Sequence, residues 1–145
     1  FVGPRSEMDQ CFPAVSPRGS IAVAEVARSP WLGLARSKLY MSDEGGLHWR
    51  RVTDLPAGSL ELQPSFSSDG AELAFDVLDR DSGIRTAHVY HIDEGRLEPV
   101  QIPEQLAERF RDTWALSWQP GTHMLLIGMG ASRSGLYPRS GGMWD

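Results

Sequence analysis

Three stretches of the chain can be laid over one another at a period of about 50 residues, and that repeat constrains the fold more than any single motif. They are the segments 12–24 (FPAVSPRGSIAVA), 63–75 (QPSFSSDGAELAF) and 115–127 (ALSWQPGTHMLLI). Their large apolar anchors, Val15, Phe66 and Trp118, stand 51 and 52 residues apart. Two positions after each anchor comes a turn-former (Pro17, Ser68, Pro120), then a glycine-bearing turn and a run of strand-formers. Each copy therefore reads as strand, tight turn, strand.

A second set of copies trails the first. Segments 38–46, 88–95 and 135–142 each place a tyrosine (Tyr40, Tyr90, Tyr137) before a polar, glycine-bearing turn. Segments 49–52 and 96–100 then supply a fourth strand. Four short antiparallel strands per roughly 50 residues is the content of a propeller blade. One blade cannot bury both of its faces, so blades must stack. The expected fold is all-β, a partial β-propeller of about three four-stranded antiparallel blades. Its expected divisions are a last strand of a preceding blade and linker at 1–10, blade one at 11–61, blade two at 62–113 and an incomplete blade three at 114–145. Phe1-Val2 stands before Pro13 much as Arg51-Val52 stands before Pro64. Rings of this kind hold about four to eight blades. The expectation is a window on a longer propeller, or self-association that closes the ring.

The segment 103–112 (PEQLAERFRD) departs from the repeat. A proline in the first turn, early acids and later arginines suit a short helix and its dipole, so a helical insertion is expected there.

Composition narrows the function classes. With 14 basic and 19 acidic residues the net charge is -5, the wrong sign for counterion-driven nucleic-acid binding, and no nucleic-acid partner is expected. No apolar run approaches the roughly 20 residues of a membrane-spanning helix. A single cysteine, Cys11, offers neither an internal disulfide nor a thiol cluster for a metal. Lys38 is the one lysine.

Segments 64–70 (PSFSSDG), 73–75 (LAF) and 89–93 (VYHID) resemble the repeat of TolB-type propellers, in which Pro-x-aromatic-Ser-Pro-Asp-Gly precedes an Ile-Ala-Phe strand. Copy one keeps Pro13, Ser16, Pro17 and Gly19 but has Arg18 where the family has aspartate. Copy three keeps Trp118 and Pro120 and puts Leu116 in place of the leading proline. The resemblance implies a propeller, and an extracytoplasmic, periplasmic setting. It does not choose an activity, because the repeat occurs in non-catalytic scaffolds and in propellers attached to peptidases. A rival resemblance lies in 42–49 (SDEGGLHW), which is similar to the Asp-box of sialidases, sortilins and photosystem-assembly propellers. There Glu44 replaces the aspartate and His48 the threonine.

Residues able to do chemistry are scattered. Asp79 and Asp81 before Gly83 have the start of a calcium loop but lack its downstream glutamate; the same residues make a good turn. His88 and His91, three apart on a strand, point to opposite faces and cannot share a metal without a bulge. The serines of 130–135 (GASRSG) do not form a nucleophile elbow. No catalytic set, cofactor or metal site is expected. The expected role is a non-enzymatic scaffold for a protein partner, part of a longer chain or larger assembly. One alternative is the substrate-gating propeller of a prolyl-oligopeptidase-type serine peptidase whose catalytic domain lies elsewhere; another is a peripheral extracytoplasmic subunit of a membrane-associated complex. Candidate partner contacts are Trp31, Leu32 and Leu34, in an apolar loop of blade one, and Arg109 of the helical insertion.

Overall fold

The computed structural model describes residues 9–29, 33–101, 113–119, 121, 125–129 and 140–144. These form three antiparallel sheets in chain order. The first holds β1 (Asp9–Val15), β2 (Ile21–Ser29), β3 (Gly33–Ser42) and β4 (Arg50–Arg51). The second holds β5 (Ser59–Phe66), β6 (Glu72–Asp79), β7 (Arg85–His91) and β8 (Arg96–Pro99). The third holds β9 (Thr113–Trp118), β10 (Leu125–Met129) and β11 (Ser140–Trp144). In every sheet neighbours in sequence are neighbours in space, the meander of a propeller blade. The expected helix at 103–112 lies outside the described residues.

The first strands of successive sheets touch, β1 with β5 and β5 with β9, so they form the inner side of the stack. Between the first two sheets lies a continuous core: Ala22, Ala24, Val26, Leu39 and Met41 meet Leu73, Phe75, Val77 and Tyr90. The opposite face of the second sheet, through Ala74 and Ala87, packs on Leu116, Trp118 and Leu125 of the third. Each buried leucine or phenylalanine is worth about 1.5–3 kcal/mol of transfer free energy. The second sheet, buried on both faces, is the centre of the stack.

Pairing corrects the repeat alignment. Val15 is opposite Ile21, whereas Phe66 is opposite Leu73 and Trp118 opposite Leu125. The turn bond agrees: Ser16 N–H donates to Ser20 O, but Ser67 N–H donates to Glu72 O. Copies two and three thus carry one more residue between the paired strands than copy one. Ile21, not Ala22, occupies the position of Leu73. Because side chains alternate, this one-residue offset puts Ala22 against the second sheet and Leu73 against the first. The tyrosines are displaced too. Tyr90 lies opposite Leu73, and that register position is held by Ser42 in the first sheet and by Trp144 in the third. Tyr40 pairs with Val23, as His88 pairs with Phe75. The Gly-Gly that resembles a turn at 141–142 lies inside β11, and Tyr137 lies outside the described residues.

The leading proline marks a bulge. In β1 and β5 the register slips between Cys11 and Ala14 and between Leu62 and Ser65. The residues before Pro13 and Pro64, Phe12 and Gln63, adopt positive φ of 53° and 52°. With Leu116 in the proline's place, β9 runs straight there and slips instead between Ala115 and Thr113.

Candidate functional site

Of the four expected contacts, Trp31, Leu32 and Arg109 lie outside the described residues. Leu34 is in β3, its backbone opposite Arg28 at a register shift.

Residues with chemical potential are engaged in the fold. His88 stacks on Phe75 (ring centroids 5.9 Å apart, 19° between planes). Burial depresses its pKa below 6.5, against weaker upward pulls from the Thr86 backbone and the Glu61 charge. His91 sits between two carboxylates, Nδ1 at 3.1 Å from Glu72 and Nε2 at 3.3 Å from Glu98. The two histidines therefore serve different neighbours. The Asp79 carboxylate is a turn acceptor, taking the N–H groups of Asp81 (2.8 Å) and Ser82 (3.1 Å), and these bonds lower its pKa. Across Ser42–Trp49, Ser42 Oγ accepts from Glu44 N and Gly46 N, and the Trp49 indole donates to Gly46 O. Glu44 and His48 join each other at 2.7 Å. These contacts make the segment a self-closed turn. Among the described residues no group of three or more metal-ligating side chains is assembled.

Arg18 explains its own departure from the family pattern. In blade two Asp69 closes its turn locally, accepting from Ser67 Oγ and Ala71 N. Arg18 instead reaches across to the second sheet's turns, donating from Nε to Asp69 O at 2.8 Å and pairing with Asp93 at 3.2 Å.

Two features lie beyond what the sequence signalled. Val15 has the spacing of a core anchor, yet it is 71% exposed. Its counterparts are covered by the blade before them. Phe66 packs against the core between the first two sheets, and Trp118 is 9% exposed with its indole N–H on Ser65 O. Phe12, on the same inner strand, is 44% exposed. Together they leave an apolar inner edge on the first sheet.

The second is a buried polar cluster between blades. Lys38 of β3 and Glu61 of β5 are 3% and 0% exposed and pair at 3.2 Å. Glu61 Oε1 also accepts from Thr53 Oγ1 (2.6 Å), and Oε2 accepts from the Leu39 backbone N–H (2.8 Å). Leu39 lies just past the two residues of β3 that pair with β4, and Val52 N–H donates to its carbonyl. The carboxylate thus satisfies an edge donor that a longer β4 would have taken.

The chain matches no protein-family model and no curated protein. Solved structures do match. The β-propeller domain of the Trilobed protease from Pyrococcus furiosus aligns with a TM-score of 0.61 at 12% identity, over 83% of this chain and 33% of that one. The putative TolB from Agrobacterium tumefaciens aligns with a TM-score of 0.56 at 17% identity, over 79% of this chain and 36% of that one. The chain spans about a third of the length of each. Two four-stranded meanders stacked with a three-stranded one, inner first strands and these two likenesses agree: the fold is a partial β-propeller, similar to both of these structures.

Proposed function

We propose that the chain is a non-enzymatic propeller scaffold whose inner apolar edge takes neighbouring β-structure, from further blades or a protein partner. One observation carries this reading. Val15 occupies the anchor position that Phe66 and Trp118 fill against a preceding blade, and it is exposed. An open blade flank is an association surface, and apolar side chains at its inner edge favour a partner that buries them. Val15→Asp places a charge at that edge without touching the core between the blades. Sedimentation and co-purification from the native cell test the reading: the wild-type chain associates, with itself or a partner, and Val15→Asp abolishes it. A monomeric wild-type chain that recruits no protein, or association indifferent to Val15→Asp, contradicts it.

The second reading, a substrate-gating propeller of a serine peptidase, is favoured by the likeness to a protease's propeller domain. A hydrolase segment in the same reading frame would decide for it. On the TolB likeness we infer an extracytoplasmic place, in a membrane-associated assembly. Fractionation that finds the chain in the cytoplasm overturns this.

A further inference from the structure

We propose that the oxygen cage around the Lys38 ammonium is a monovalent-cation site filled by a tethered side chain, and that it will take a free alkylammonium ion when the tether is cut. Four oxygens converge on Nζ: Pro56 O at 2.9 Å, Ser59 O at 3.0 Å, Glu61 Oε1 at 3.2 Å and Leu55 O at 3.3 Å. Leu55 O and Pro56 O come from the connection between the first two blades, and Ser59 O and Glu61 Oε1 belong to β5, the inner strand of the second. A ring of carbonyl dipoles is how proteins replace a monovalent ion's hydration shell. An ammonium, with three donors and no acceptor, satisfies the same cage by hydrogen bonds.

The surroundings call for a cation rather than a neutral donor. Both Glu61 oxygens are engaged by donors, Oε1 by Thr53 Oγ1 and Lys38 Nζ and Oε2 by the Leu39 N–H. Glu25, fully buried, is Lys38's cross-strand neighbour. Removing the ammonium would leave a buried carboxylate and three converging carbonyls without positive charge, a costly state. The cage holds β3, the 52–58 connection and β5 together and so fixes the first two blades against each other. Between the second and third blades the Trp118 indole donates to Ser65 O, beside the apolar contact of Ala74 and Ala87 with Leu116 and Leu125.

Three chains test the site: wild type, Lys38→Ala, which opens room for a guest, and Lys38→Met, which fills the space without charge. Their melting temperatures are measured in propylammonium chloride and in tetramethylammonium chloride at equal ionic strength. Lys38→Ala is expected to melt on the order of 10 °C below wild type. Propylammonium should raise its melting temperature in a saturable way, as a ligand of the folded state does. Tetramethylammonium, which lacks N–H donors, should not, and neither Lys38→Met nor wild type should respond to either salt. Equal responses of all three chains, or of Lys38→Ala to both salts, overturn the proposal. If Lys38→Ala does not fold alone, refolding yield with each salt replaces the melting temperature, and failure of propylammonium to rescue it counts against the site. In the wild-type chain Lys38 should resist acylation by an amine-directed ester until the protein unfolds. Native-state acylation at the rate of a free amine also overturns it.

Discussion

Trp118 donates its indole Nε1–H to the Ser65 carbonyl at 3.0 Å, joining the third blade's first strand to the second blade's. Ring and hydrogen bond make separate contributions to that contact. Trp118→Phe, which keeps an aromatic ring, should cost about 1 kcal/mol, and Trp118→Ala about 3–5 kcal/mol. Equilibrium denaturation measures both. Equal losses would place the contribution in the hydrogen bond rather than the packing.

Two turn glycines separate backbone strain from steric contact. Gly19 (φ +88°) has open space where a Cβ would sit, whereas a Cβ on Gly70 (φ +71°) would lie 2.3 Å from Ser16 Oγ and 3.0 Å from Arg18 Cγ. Gly19→Ala should cost about 1–2 kcal/mol from its left-handed conformation. Gly70→Ala should cost more and weaken the Arg18–Asp93 pair. Comparable losses for the two variants would refute close approach of the blade tips.

Asp76 is buried on the face of the second sheet that meets the third, with Arg85 at 3.3 Å. Burial outweighs the Arg85 charge and raises its pKa from 3.8 to about 6. A carboxyl with a raised folded-state pKa favours the native state when protonated. Its contribution is full below pH 3.8 and declines as pH rises to about 6, by on the order of 3 kcal/mol. Asp76→Asn lacks this titration. Its stability relative to wild type should therefore improve between pH 4 and pH 7, as read by denaturant unfolding. A difference that does not change with pH contradicts the assignment.

His88 has the opposite sign. Burial against Phe75 holds its pKa below 6.5, so the folded state prefers the neutral ring. That contribution is present above pH 6.5 and is lost as pH falls through the depressed value. Ring-proton NMR should show His88 titrating below 6.5. A midpoint above 6.5 would mean that the stack leaves the ring solvated.

The blade repeat was legible because turn chemistry recurs: Gly19 and Gly70 take the positive φ that the turns after Ser16 and Ser67 require. The offset between copies was not, since one added residue, beside Ala71, leaves the composition of both strands unchanged while reversing which face each side chain takes. The bulges at Pro13 and Pro64, and the straight run of β9 at Leu116, emerge only from the pairing. Val15 has an anchor's spacing, but whether an anchor is covered depends on the neighbouring blade, which its own strand does not encode. The Lys38–Glu61 pair was hidden for a similar reason. The two residues lie in different sheets, and a lone lysine in a strand has the look of a solvated side chain.

The amide exchange of Leu39 tests most directly whether the first two blades form one unit through Glu61. Leu39 N–H has no β4 partner and is held by a carboxylate from the next blade. Native-state hydrogen exchange should find it as protected as the Ala24 and Phe75 amides, opening only with global unfolding. Exchange at the rate of an exposed strand edge, with those core amides still protected, would contradict the account.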